Sequence, residues 1–168
     1  MGYVAMGSNL GDRGGLLASG LRGLRDHGVE PTAVSSVWET EPVGLGDAPR
    51  FWNMAVAFDS DEAPHRLLDT LLSIERSAGR RRTGEPASRT LDLDLLCLGD
   101  LSIADDRLQL PHPRMWERSF VLAPLAEIAP ELRNPATGRT VEEELRRIPR
   151  PTAVSRICAL DRRPTVLL

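Results

Sequence analysis

The chain contains no lysine: all 21 of its basic residues are arginine. That excludes Schiff-base chemistry and the phosphate-cradling lysine of a P-loop. If such a chain handles phosphates, it must use guanidinium groups, metal ions and main-chain N–H groups. Cysteine is nearly absent too. Cys97 and Cys158 are too few for a disulfide framework and lack metal-ligand spacing, so both read as small apolar fillers. No apolar run approaches the roughly 20 residues of a membrane helix, and no basic-then-apolar leader opens the sequence. No membrane partner is therefore expected, and the expected location is cytoplasmic. A net charge of −3 argues against a general nucleic-acid binder. With only three Phe, three Trp and one Tyr, the chain also lacks the exposed aromatic platform of an RNA-binding sheet.

What is present fits one globular domain. The 168 residues divide into a domain over 1–149 and a proline-punctuated tail over 150–168 of uncertain order. Gly2 to Met6 reads as a short buried strand. Leucines 16, 17, 21 and 24 recur at helical spacing up to Gly28. Val34 to Thr40, Phe51 to Phe58 and Thr90 to Leu98 read as strands. Between the second and third strands lies a Pro/Gly loop, Glu41 to Arg50. Ala63 to Ala78 forms an amphipathic helix, and Val141 to Ile148 a shorter one. The order strand–helix–strand–strand–helix–strand predicts an α+β, ferredoxin-like sandwich: an antiparallel sheet with both main helices on one face.

The chemistry concentrates between Glu75 and Leu95. Asp92 and Asp94 stand two apart on the fourth predicted strand, so their carboxylates share a face about 7 Å apart. Two like charges there call for a cation, and magnesium suits a pair of hard oxygen donors that also binds phosphate. The alternative is a solvated D-x-D on a sheet edge. Five arginines just upstream or alongside (Arg76, Arg80, Arg81, Arg82 and Arg89) would complete a polyphosphate clamp through bidentate guanidinium forks. A second group is P-H-P-R-M-W-E-R-S-F, which sets His112 between two prolines with Arg114 and Arg118 following. A third is E-T-E-P-V-G followed by F-W-N, where Asn53 and the faces of Phe51 or Phe120 suit a flat heterocycle. G-S-N-L-G-D-R, Gly7 to Arg13, reads as a strand-to-helix turn.

These motifs in this order, with R-T-L-D-L-D-L-L, L-P-H-P-R and R-S-F-V-L-x-P-L, resemble 6-hydroxymethyl-7,8-dihydropterin pyrophosphokinase of folate biosynthesis over about Gly2 to Glu131. The resemblance implies transfer of a pyrophosphoryl group from ATP to the pterin's hydroxymethyl oxygen by a monomer acting on small molecules. It implies that Asp92 and Asp94 hold two magnesium ions. Arg80, Arg82 and Arg89 would stabilise the triphosphate, with Glu75, Leu95, Arg107, His112 and Arg118 at the nucleotide. Thr40, Glu41, Val43, Asn53 and Asp92 would surround the pterin, with Phe51 and Phe120 sandwiching its ring. The family's catalytic-loop tryptophan is missing, since the string here is E-P-A-S-R. Open alternatives are a diverged relative acting on another hydroxymethyl heterocycle, and a non-catalytic ferredoxin-like module that binds nucleotide or RNA.

Overall fold

The computed structural model describes residues 1–80, 87–148 and 155–159. β1 (Gly2–Ser8) leads into α1 (Arg13–Asp26), followed by β2 (Pro31–Val34), β3 (Ser36–Thr40) and β4 (Phe51–Phe58). Next come α2 (Pro64–Ser77), β5 (Asp92–Leu98) and a two-residue hairpin of β6 (Ile103–Ala104) with β7 (Gln109–Leu110). A 3₁₀ turn over Met115–Glu117 leads into α3 (Ser119–Ile128), α4 (Val141–Arg147) and β8 (Ser155–Ala159).

Local chemistry sets the helix starts. Asp12 caps α1 by accepting the Gly15 N–H at 3.0 Å, and Pro64 opens α2 with φ already fixed for a helix. Thr140 and Glu143 form a reciprocal capping box at α4. The sheet runs β5-β1-β4-β3-β8 and is antiparallel throughout, with β2 also on β4. This is the strand order of the ferredoxin-like sandwich, as expected.

Period-two alternation assigns the two faces. Val4, Met6, Met54, Val56, Leu93 and Leu95 point to one side, where Leu17, Leu21 and Leu24 of α1 meet Leu67, Leu71 and Ile74 of α2. Ala55 and Leu96 point to the other, under Met115, Val121, Leu122 and Leu125. The second core, built on α3 and α4, was not part of the expected two-helix sandwich.

The structure departs from the expected elements at three places. The predicted strand Val34–Thr40 begins at Pro31 and breaks at Ser35. There the Ser35 hydroxyl accepts the Ala55 N–H at 2.9 Å and donates to Ser36 O at 2.8 Å. A side chain thus takes a rung that belongs to the main chain, and the strand kinks. The fourth predicted strand starts at Asp92 rather than Thr90. Within the predicted tail, residues 155–159 pair with β3 as an edge strand.

Candidate active site

The face beneath α3 carries a polar row that crosses the sheet. Register places Asp92 (β5) beside Gly7 (β1), Gly7 beside Asn53 (β4), and Asn53 beside Trp38 (β3). Asp92 and Asn53 are therefore two strand spacings apart, about 10 Å. Along the next row, Asp94 lies beside Ala5, and Ala5 beside Ala55. Both aspartates alternate with buried Leu93 and Leu95, so they share this face as the sequence predicts.

Asp92 is heavily engaged. Arg80 Nη1 bonds one carboxylate oxygen, and Arg89 Nη1 bonds the other at 2.6 Å. The same Arg80 nitrogen bonds Glu75, whose side chain is only 2% exposed. Glu75 also accepts the Leu93 N–H at 2.8 Å, tying α2 to β5. Asp94 meets Arg118 more loosely, at 3.9 Å. Desolvation, then the charge of Asp92, push the Asp94 carboxyl above its ordinary value, while His112, Arg118 and Arg80 pull it back. The pair thus repels itself as a like-charge site does.

His112 sits beyond the β5 edge, its N–H donating to Leu96 O at 2.7 Å. Its Nδ1 accepts from the Arg114 N–H at 3.2 Å, which leaves the neutral ring's proton on Nε2. Desolvation, reinforced by the charges of Arg118 and Arg114, lowers its pKa, with Asp94 opposing. His112 helps line a cleft of about 270 Å³ with Asp94, Leu95, Leu68, Leu108 and Arg107. Arg107, half-exposed at the rim, reaches back to Asp69 at 2.5 Å.

Across the sheet, Asn53 is buried and donates from Nδ2 to Thr40 Oγ1 at 2.8 Å. That bond orients the amide and leaves Oδ1 toward Gly7. A Cβ at position 7 would lie 2.8 Å from that oxygen, so the close approach of β1 requires glycine. Phe51 lies 5.9 Å below the Arg89 guanidinium, and Phe120 5.5 Å from that of Arg118. The two rings thereby share cationic neighbours with the aspartates. Glu41 is paired with Arg50 at 3.4 Å, and Val43 is 63% exposed. Leu95 belongs to the core under α2 while also lining the cleft. Arg82 lies outside the described residues. Among the described residues no third carboxylate, histidine or cysteine joins the aspartate pair in a metal-holding cluster.

Sequence reasoning passed over Asn9. It is 1% exposed and joins three segments of chain. Nδ2 donates to Pro49 O at 3.1 Å and to Ser88 Oγ at 3.0 Å, and Oδ1 accepts the Arg89 N–H at 2.7 Å. Nothing in the string G-S-N separates such a residue from an ordinary turn asparagine. It also passed over a support on the opposite face, where Glu39 accepts from Trp52 Nε1 and Arg13, each at 3.2 Å. Arg13 also caps Arg50 O at 2.8 Å and stacks 4.4 Å over Trp52, anchoring the end of the 41–50 loop.

The chain is similar to known proteins along most of its length. The 7,8-dihydro-6-hydroxymethylpterin-pyrophosphokinase family profile matches residues 3–130. The 2-amino-4-hydroxy-6-hydroxymethyldihydropteridine pyrophosphokinase of Bacillus subtilis is 43% identical over 143 residues, 84% of this chain and 86% of that protein. The protein of the same name from Methylorubrum extorquens is 40% identical over 156 residues, covering 92% and 97%. In three dimensions the chain is similar to wild-type Plasmodium falciparum HPPK-DHPS with SDX-DHP, at a TM-score of 0.65 and 11% identity. It covers 86% of this chain and 43% of that one, so the present chain spans well under half of the solved protein, and the likeness speaks to fold. Taken with the paired aspartates and the oriented amide on one sheet face, the extent and identity of these matches place the chain in the 7,8-dihydro-6-hydroxymethylpterin-pyrophosphokinase family.

Proposed function

We propose that this chain transfers a pyrophosphoryl group from ATP to 6-hydroxymethyl-7,8-dihydropterin, forming the pterin diphosphate and AMP in folate biosynthesis. The observation that carries the reading is the row Asp92–Gly7–Asn53, which sets a carboxylate–arginine cluster about 10 Å from an oriented amide. That spacing suits a substrate with a hydrogen-bonding ring edge at one end and a phosphate acceptor at the other.

In this reading Asn53, fixed by Thr40, bonds the pterin edge, with Glu41 and Val43 offering loop contacts and Phe51 and Phe120 covering the ring faces. Glu75, Leu95, Arg107, His112 and Arg118 serve the nucleotide. The hydroxymethyl oxygen attacks the β-phosphorus in line, and the bond from that phosphorus to the oxygen bridging the α-phosphate breaks. AMP departs with the bridging oxygen, and the hydroxyl proton passes to solvent. Arg80 and Arg89 turn from Asp92 to phosphate oxygens as charge develops there, and in this reading Arg82 joins them.

The donor set also fits a hard divalent cation: two carboxylates on one strand face, mutually repelling and adjacent to arginines suited to phosphate. Asp92 and Asp94 would hold magnesium, two ions in this reading, which when bound neutralises phosphate charge. The decisive assay incubates the protein with ATP, magnesium and the hydroxymethyl dihydropterin and identifies the nucleotide product. AMP equimolar with pterin diphosphate is expected. ADP would refute pyrophosphoryl transfer.

A further inference from the structure

The strongest feature outside the proposed chemistry is Asn9, a buried amide whose hydrogen-bonding groups all reach other parts of the chain. Both Nδ2 hydrogens are used, on Pro49 O and Ser88 Oγ, and Oδ1 holds the Arg89 N–H. The Asn9 main chain adds a fourth tie, its N–H donating to Arg89 O at 3.1 Å. Arg89 is thus clamped through both its N–H and its C=O to one residue of the β1–α1 turn. Its guanidinium then extends to Asp92 and over Phe51. The remaining tether, to Pro49, reaches the end of the 41–50 loop, one residue before Arg50 and two before Phe51.

We infer that Asn9 is a positioning residue that sets the Arg89 guanidinium over the transferring phosphate and holds it in register with the loop flanking the heterocycle. This rests on the proposed pyrophosphoryl transfer and deepens it. An arginine side chain reaches its target through four rotatable bonds, so its head is only as well placed as its Cα. One main-chain bond and one bond to the Asn9 amide hold the Arg89 backbone, and a second amide bond holds Ser88 beside it. Without the Asn9 amide, Ser88 loses its bond to Asn9 and Arg89 keeps only the main-chain one. Because Arg89 acts on developing charge, an ångström of drift there is felt in turnover rather than in ground-state binding.

The test is a double-mutant cycle with Asn9→Ala, Arg89→Ala and the pair, measuring kcat and both KM values from AMP release. Asn9→Ala is expected to lower kcat by about 10- to 100-fold with KM for ATP within about threefold. In the Arg89→Ala background the same substitution should change kcat by less than about twofold, because the group it positions is gone. A merely structural asparagine would instead give additive losses in the cycle, which overturns the inference. Should Asn9→Ala fail to fold, Ser88→Ala removes a single tether at a partly exposed position. It should lower kcat by about threefold, an effect likewise absent without Arg89. A parent protein that makes no AMP at all overturns the transfer reading, and this inference with it. An active parent with an additive cycle overturns this inference alone.

Discussion

Gly7→Ala tests whether Asn53 reads the heterocycle. The added Cβ would lie 2.8 Å from Asn53 Oδ1, 3.9 Å from its Cγ and 3.8 Å from Phe51 Cδ1. Only the first contact is too short, and relieving it needs a retreat of about half an ångström. Oδ1 and Nδ2 belong to one planar amide, so that retreat swings Nδ2 off Thr40 Oγ1, now at 2.8 Å. A buried donor stripped of its partner costs about 1–3 kcal/mol. In a chain of this size each kcal/mol lowers Tm by about 2–4 °C. The same misdirected amide should weaken recognition of the pterin edge by a similar free energy, raising KM for the pterin by about 5- to 150-fold. KM for ATP should hardly move. The assay is initial-rate AMP release against each substrate, with a thermal melt in parallel. Gly2→Ala is the control: its Cβ would strike Phe58 and Leu98 in the core under α1 and α2, costing about 1–3 kcal/mol without touching the site. A folded Gly7→Ala protein with parental pterin KM would refute the role given to Asn53.

Asp94→Asn removes one of two repelling carboxylates, so Tm should hold or rise while AMP formation falls by about 10²–10³-fold. Parental turnover in that variant would remove the metal and phosphate reading at its root. Burial pushes the Cys97 thiol up to about 11, so in a Cys158→Ser background it should resist thiol reagents at pH 8 until the protein is denatured. Rapid labelling of the folded protein would contradict this. Glu144 is held below its ordinary value of 4.5, first by the Thr137 hydroxyl and also by the Asn134 amide, with burial opposing. A lowered acid stabilises the fold above its unfolded pKa and loses that contribution as pH falls through the folded one. Denaturation midpoints of the parent and Glu144→Gln should therefore differ at pH 7 and converge as pH falls through the lowered folded-state titration. A constant gap would rule the linkage out.

How much was legible depended on whether a feature is local. The leucine spacing of α1 and α2 and the alternation of β1, β4 and β5 are periodic signals read directly from side-chain order. So is the shared face of Asp92 and Asp94, which follows from strand geometry alone. The break at Ser35 was not legible, because it depends on a hydroxyl meeting the Ala55 main chain 20 residues away. The second core was hidden for a related reason. α3 is apolar on most sides and contains Pro124, so no single stripe announces which face it covers.

Sequence alone therefore determined the ferredoxin-like order of elements, the confinement of positive side chains to arginine and the carboxylate pair, since each follows from residue type and short-range period. Tertiary structure alone decided that Gly7 lies between Asp92 and Asn53, that Arg80 is shared by Glu75 and Asp92, and that Asn9 gathers Pro49, Ser88 and Arg89. Those juxtapositions join residues up to 85 positions apart, as Gly7 and Asp92 are. They exist only once strands pair in register, because hydrogen bonding and steric fit act between neighbours in space.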